Sequence, residues 1–547
     1  MFACVCVPYV LLAWRLWFIT DDAFISFRYA RNLALGNGLR FNLWDRPPVE
    51  GYSNFLWVIL CSLFEFLRLD VTWWPALISL ACGGVILWLV LRVLTRHLEV
   101  ALPAAGLATL ALACFPPFAM WASSGLATMP FALLVLVTFE RLVLRPDGPD
   151  PVGGALAGLA LALIRVEGIA WFVVIFLLAL GVQRMRGRRA PRPLLVCAAI
   201  VTAGYAAYFA WRYAYYGLPL PNTAYAKADL DPRRLGRGVS YVASFVLTFV
   251  SPIVLLPAAW VALRPRRRTV GFAIAAMAFA FPAYSVIVTG DFMAMGRFLV
   301  PGFAFGAILL AWLLEDTMAR GTSGRAVGVA VSAAAIVLAL LPAWNVHVVP
   351  QSIRERFRFR FNTANYETEY EQWQSHVQNA ADWARRGRAL RRYADERDLV
   401  EATPSCVAGA IGAIGYYSGY NIYDMHGLVT PEVARRAVAP EEPLRSPGHD
   451  KRVPIDFFLP CAPTVLDAWV VGPAGAPEVA AACGRKARAL RERGFAEHYV
   501  VDWLRIDGDA KSGRYLIVWV RIRGGVSAPR AWGQFRDRLR DLALGGD

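Results

Sequence analysis

Residues 153–183 read GGALAGLALALIRVEGIAWFVVIFLLALGVQ, an apolar run broken near its middle by Arg165-Val166-Glu167-Gly168. How this stretch is read fixes the topology around it. Taken as one segment it exceeds the roughly 20 residues that cross a bilayer. It then places the basic cluster Arg184-Met185-Arg186-Gly187-Arg188-Arg189 on the opposite side from Arg264-Pro265-Arg266-Arg267-Arg268. Taken as two half-length spans meeting at Arg165–Gly168, it leaves both clusters on one side. Short basic loops mark the cytoplasmic face, so the second reading is adopted. Its charged tip falls at membrane depth, where irregular backbone requires a water-filled cavity.

Working outward, further apolar blocks run at about 2–19, 73–91, 100–118, 126–144, 194–212, 241–262, 270–289, 298–314 and 325–346. With the two halves of 153–183 they make 11 spans. The stretch 2–19 lacks a basic leader and a small-residue cleavage site and reads as an uncleaved first span. The chain of 547 residues is 57% hydrophobic and 18% charged, against about a quarter charged in soluble domains. A soluble enzyme is excluded. The net charge of +16 does not indicate nucleic acid, because the excess sits among the spans: Lys and Arg outnumber Asp and Glu 28 to 16 in residues 1–346, but only 29 to 25 in 347–547.

The expected fold is a polytopic α-helical membrane module, 1–346, followed by a soluble α/β domain, 347–547. The span parity puts the N-terminus inside and leaves 20–72, 119–125, the 165–168 tip, 213–240, 290–297 and the C-terminal domain outside. Asp21–Leu35 and Asn54–Leu69 read as juxtamembrane helices, Tyr366–Arg397 as a long helix, and Val400–Ala408, Tyr420–Met425 and Tyr515–Arg523 as strands. Of nine cysteines, Cys461 and Cys483 are the favoured pair if that domain is oxidised. No ligand spacing for structural zinc occurs.

The exterior loops collect the polar groups. At Asp21-Asp22 one carboxylate can act as general base on a hydroxyl while the other holds it, or both can bind a divalent cation; acidic residues also simply begin helices. Arg28, on the helix that follows, can reach a phosphate. Glu50, Tyr52 and Asn54 precede an aromatic-rich helix and suit a sugar, though Trp and Tyr also form interfacial belts. Asn222, Tyr225 and Lys227 close the next loop; Lys227, one of four lysines, suits an anionic lipid head or plain solvation. Asp291 and Arg297, six apart, either offer Arg297 to a phosphate or pair to close their turn. In the tail, His426 and His449 face a cavity or the surface. The glycines of Gly412-Ala413-Ile414-Gly415 are no dinucleotide fingerprint, since the spacing differs and no helix is expected after them. All five groups fall on one side of a topology drawn from charge, which favours a shared site. A transporter would more often show repeated halves, and none is found.

In order along the chain, RYARNLALGNGLRFN (28–42), VEGYSNFLW (49–57), YYGLPLPNTAYAK (215–227), GDFMAMGRFLVP (290–301) and the tail motifs GAIGYYSG, DMHGL and PGHDK resemble the GT-C superfamily of bacterial membrane glycosyltransferases. Within it they resemble most the actinobacterial terminal β-(1→2)-arabinofuranosyltransferase group. The resemblance implies a polyprenyl-phosphate sugar donor and a cell-envelope glycan acceptor, at the outer face of the cytoplasmic membrane. It implies catalytic roles for Asp21 and Asp22, and donor-phosphate binding by Arg28, Lys227 or Arg297. Arg165 and Glu167 match the short intramembrane tip and would line the cavity. A divalent cation stays open, with Asp21 and Asp22 its ligands if there is one. So do a hexose or aminoarabinose transferase acting on protein or lipid A, and a lipid-linked-sugar flippase. One departure stands out: relatives often have Glu where this chain has Ala127.

Overall fold

In the computed structural model, which describes all residues except 1, 188–191, 228–231, 266, 362–364, 398, 400–403, 440, 509–510, 525 and 544–547, each expected apolar block is helical. Among the described residues, six helices are long and apolar enough to cross a membrane: Trp74–His97, Gly168–Met185, Arg192–Tyr216, Arg268–Ile287, Ala294–Met318 and Thr322–Trp344. A seventh forms if Arg233–Phe249 and Ser251–Ala262, bent by 97°, count as one span. The bend has a local cause: Val250 takes a left-handed φ of 57° and Pro252 follows it. Phe2–Arg15, Leu102–Ala113, Thr128–Phe139 and Pro151–Ile164 are shorter, at 12 to 14 residues.

The interrupted stretch departs from expectation in one half. Pro151–Ile164 is short, but Gly168–Met185 has 18 residues and is a full-length candidate span. Arg165 is extended, with φ −152° and ψ 147°, and a turn at 166–167 restarts the chain as a new helix. Gly168 is required there, because a Cβ would stand 1.8 Å from the Leu161 carbonyl oxygen.

The C-terminal part is an α/β domain. Five strands, β1 (Ser405–Ala408), β2 (Asn421–Asp424), β3 (Val465–Ala474), β4 (Tyr499–Gly508) and β5 (Gly513–Arg521), form one sheet in the order β2-β1-β3-β5-β4. β1 runs parallel to β2 and β3, and the other pairs are antiparallel. The long helix appears as Glu369–Glu396, opened by a Thr368–Glu371 capping box. β1 contains the latter part of the expected 400–408 strand; 400–403 lie outside the described residues. β3, β4 and the helices Ala476–Glu492 and Ala528–Ala543 were not expected. Two further expectations fail. Gly412–Ser418 is a helix. Cys461 and Cys483 are both free, the first exposed at the surface and the second buried among Val479, Leu490 and Ile517.

One buried cluster joins the two parts. The helix Asp21–Ala34 packs on Gly412–Ser418, with the Phe24 ring 5.6 Å from Tyr416 and 5.4 Å from Tyr417. Arg28 fixes this contact: Nε donates to Phe41 O at 2.8 Å, Nη2 to Tyr420 O at 2.6 Å and Nη1 to Gly415 O. The C-terminal domain therefore sits on the first loop as a continuation of the core.

Candidate active site

Adjacent residues on an α-helix point about 100° apart, and this separates the two carboxylates. Asp22 faces a cavity of about 590 Å³. Asp21 faces the C-terminal domain, where Oδ2 accepts the Gly412 N–H at 3.1 Å and Oδ1 the Ala413 N–H at 2.7 Å. Ile411 at the N-cap of that helix has no acceptor in its side chain, so Asp21 caps it from a distant part of the chain. Burial pushes the Asp21 carboxyl up to about 7, and the two N–H bonds pull it the other way.

Around Asp22 the cavity is lined chiefly by 51–54, the 165–167 break, 223–227 and the turn 287–298, with Leu428, Pro447 and Gly448 from the C-terminal part. Asn54 is held by Ser26, to which its Nδ2 donates at 3.0 Å. Arg165 pairs with Glu167 at the break. Lys227 lies along Gly448, whose added Cβ would be 3.4 Å from the Lys227 Cε, and it has no hydrogen-bond or ion-pair partner among the described residues. Burial lowers its pKa, and Asp22 is the leading charge opposing that shift. Lys227 lines the cavity, and its ammonium has no acceptor among the described residues.

The turn presents Arg297. Met295 and Gly296 both take left-handed φ, 54° and 66°, and a Cβ at Gly296 would stand 2.6 Å from the Phe245 ring. Such a conformation persists only where its surroundings enforce it. Arg360 does so, donating to Phe292 O at 2.8 Å and Met293 O at 2.9 Å while paired with Glu369, which also accepts the Met295 N–H. Arg297 forms a buried two-point pair with Asp291, at 2.7 and 3.1 Å. The turn-closing ion pair therefore exists, and it leaves Nη1 without a hydrogen bond among the described residues. Ala127 lies on the same cavity wall.

A domain family of unknown function, DUF8728, matches residues 363–481. Two curated relatives are each named terminal β-(1→2)-arabinofuranosyltransferase. The Corynebacterium glutamicum protein is 30% identical over 330 residues, 53% of this chain and 47% of its own length. The Mycobacterium tuberculosis protein is 30% identical over 286 residues, 47% of this chain and 43% of its own length. The chain thus spans about half the length of the curated relatives it matches. Among solved structures, ArnT from Cupriavidus metallidurans bound to undecaprenyl phosphate superposes with a TM-score of 0.56 at 14% identity, over 94% of this chain and 96% of that one. The apo form of the same protein gives 0.54.

The chain has the GT-C fold.

Within this GT-C fold, Asp22, Tyr52, Asn54, Arg165, Glu167, Lys227, Asp291 and Arg297 come together as the sequence suggested. Seven other candidates do not line the cavity. Asp21 caps the Gly412–Ser418 helix, and the donors of Arg28 are taken by three backbone carbonyls. Glu50 is paired with Arg212 at 2.6 Å. Asn222 braces the chain instead, its Nδ2 donating to Gly427 O at 2.7 Å and Leu428 O at 2.9 Å. Tyr225 contributes its backbone oxygen to Lys451. His449 stands one layer back, its ring 4.5 Å edge-on to Phe292, and His426 packs behind it at 4.7 Å. Burial lowers the pKa of both histidines. Ser26, Thr223 and Tyr284 line the GT-C cavity unannounced, as small or aromatic residues without a spacing to mark them. Arg360 and Glu369 lie outside every motif and act through the turn.

The acidic pair does not converge on the cavity, since both oxygens of Asp21 are turned to Gly412 and Ala413. Among the described residues, no group of three His, Cys, Asp or Glu side chains converges to hold a metal ion.

Proposed function

We propose that this chain is a membrane glycosyltransferase that moves a pentofuranose, arabinofuranose, from a polyprenyl-phosphate carrier to a cell-envelope glycan. The site would lie at the outer face of the cytoplasmic membrane, with 1–346 as the catalytic membrane module and 347–547 outside. The observation that carries the reading is the placing of Asp22 and Lys227 on the lining of one cavity, with Asp22 the leading charge acting on the ammonium. The two curated relatives' names support the sugar and linkage class. The undecaprenyl phosphate bound to ArnT supports the carrier class. Sidedness rests on the short basic loops at 184–189 and 264–268.

In this reading the acceptor hydroxyl, a poor nucleophile, gives its proton to Asp22 as its oxygen attacks the anomeric carbon. The bond from that carbon to the phosphate oxygen breaks, and the polyprenyl phosphate leaves with the electron pair. Lys227 and the free Nη1 of Arg297 neutralise the charge that gathers on the leaving oxygen. The Arg165–Glu167 pair and Asn54 orient the sugar ring. No step is routed through a cation.

The test is transfer of labelled arabinose from polyprenyl-phosphoryl-arabinose to a short arabinan by the full chain in detergent, with and without chelator. Transfer that survives chelation and disappears in Asp22→Asn is expected. Wild-type protein that binds the donor and transfers nothing would sink the reading in favour of a flippase.

A further inference from the structure

Behind the candidate active site lies a second cavity, of about 640 Å³, between the first loop and the C-terminal domain. The two cavities share a thin wall. Glu50, Asn222 and Val429 line the second, while their neighbours Gly51, Thr223 and Leu428 line the first. The wall is stitched by the Asn222 N–H to Glu50 O at 2.9 Å and by the Asn222 amide to residues 427 and 428. Gly51 permits the close approach, since a Cβ there would lie 2.4 Å from Val429 Cγ1.

The lining of this second groove combines bare aromatic faces with unfilled acceptors. Trp44 is 40% exposed and Phe457 46% exposed. The Trp44 ring lies 4.9 Å from Tyr423, which packs on Phe458 at 5.5 Å, giving an aromatic floor that spans both parts of the chain. Among the described residues, Asn222 Oδ1 and Asp45 Oδ2 are buried without a partner in hydrogen-bond geometry, although Trp44 and Asn42 stand beside the Asp45 carboxyl. Asn222 and Asp45 both line this groove. Burial pushes the Asp45 carboxyl up to about 7. Buried acceptors are costly unless a donor reaches them. A ligand with many hydroxyl donors and C–H faces satisfies both features, and since Arg46 and Arg435 share the lining with Asp45 and Glu432, neither sign of charge dominates to select an ion.

We propose that this groove is a subsite for a neutral oligosaccharide, holding sugar units of the acceptor chain away from the reacting end. The aromatic floor stacks on the C–H faces of a ring, and Asp45 and Asn222 accept its hydroxyls. The proposal rests on the transferase reading for its link to the acceptor, but glycan binding here is measurable without turnover.

Cys461 supplies the reporter: it is free, exposed and on the groove wall. The full chain, in a detergent without a sugar head group, is alkylated with N-ethylmaleimide, and modification of Cys461 is followed by peptide mass spectrometry. The probe is an arabinofuranosyl hexasaccharide, with transfer assayed in the same preparation. A several-fold, concentration-dependent slowing at Cys461 is expected. Trp44→Ala and Phe457→Ala should each abolish it, and Asp22→Asn should keep it. Unchanged alkylation up to the solubility of the hexasaccharide overturns the subsite, even if transfer is seen. Slowing without transfer upholds the subsite and counts against the transferase reading instead.

Discussion

The two carboxylates of the first loop should fail in different ways when altered. Asp22→Asn keeps the size of the side chain and removes its ability to take a proton. Loss of a general base costs about 10²–10⁴ in rate, equivalent to about 3–5 kcal/mol of barrier, and among the described residues no hydrogen bond or ion pair of the fold uses that carboxylate, which adds only its first-turn charge to the helix. The variant should melt with wild type and lose that factor in kcat/KM. Asp21→Ala removes the acceptor of two N–H groups at the start of Gly412–Ser418, and Ile411 offers no substitute. An N-cap of this kind contributes roughly 0.5–2 kcal/mol. In a domain of this size each kcal/mol shifts the melting midpoint by about 2–4 °C, so a drop of a few degrees is expected, with turnover of the folded fraction largely kept. Asp21→Asn, which retains one acceptor oxygen, should fall between Asp21→Ala and wild type in stability. Melting curves and initial rates on the same samples decide the matter. If Asp21→Asn abolishes transfer without lowering the midpoint, or Asp22→Asn leaves transfer intact, the division of roles is wrong.

Three further outcomes follow from the same geometry. Burial lowers the Lys227 pKa, and the charged form is the one that binds phosphate, so kcat/KM for the donor should fall at a lower pH than an ordinary lysine would give; Lys227→Arg should move that limb upward, and Lys227→Gln should raise the donor KM at every pH. Arg28→Met should leave the buried carbonyls of Phe41, Gly415 and Tyr420 without donors, at about 1–3 kcal/mol each; the expected result is a larger melting shift than for Asp21→Ala, with no selective rise in donor KM. Arg360→Ala should release the turn that carries Arg297 and lower kcat/KM at least tenfold, while a compensating Glu369→Gln should not restore it.

The membrane module was legible because bilayer crossing demands long apolar blocks, and those leave the same trace whatever they pack against. Where the trace stopped short, the causes were local: Pro116 and Pro117 end the helix that begins at Leu102, and Val250 bends the 233–262 pair. The C-terminal α/β domain was less legible. β4 contains Asp502, which reads as a surface residue yet is buried, accepting from Tyr393, Arg397 and Arg538. Those partners come from two helices flanking the sheet, and no local pattern announces them. The amphipathic helices Ala476–Glu492 and Ala528–Ala543 did have a readable period. At the site, residue type and loop position identified eight of the lining residues, since each motif falls where a chain segment crosses one cavity. Which member of a motif turns inward was not legible. Asp21 and Asp22 differ only by a helical rotation, and Asp21 finds its partners some 390 positions away.

That long-range partnership changes what the C-terminal domain is for. Asp21 and Arg28 tie the first loop to Gly412–Ser418, Asn222 ties the next loop to residues 427 and 428, and Arg360 with Glu369 shapes the turn that presents Arg297. Asp22, Thr223 and Arg297 all belong to the helical N-terminal part, yet each is positioned by a residue of the C-terminal domain or by a residue that grips it. The domain also closes the cavity directly through Leu428, Pro447 and Gly448. A membrane module cut at 346 would therefore lose the geometry of all three groups at once while keeping every residue proposed to act on substrate. On the proposed reading the catalytic unit is the joined structure, and the seam between its two parts is where both cavities have formed.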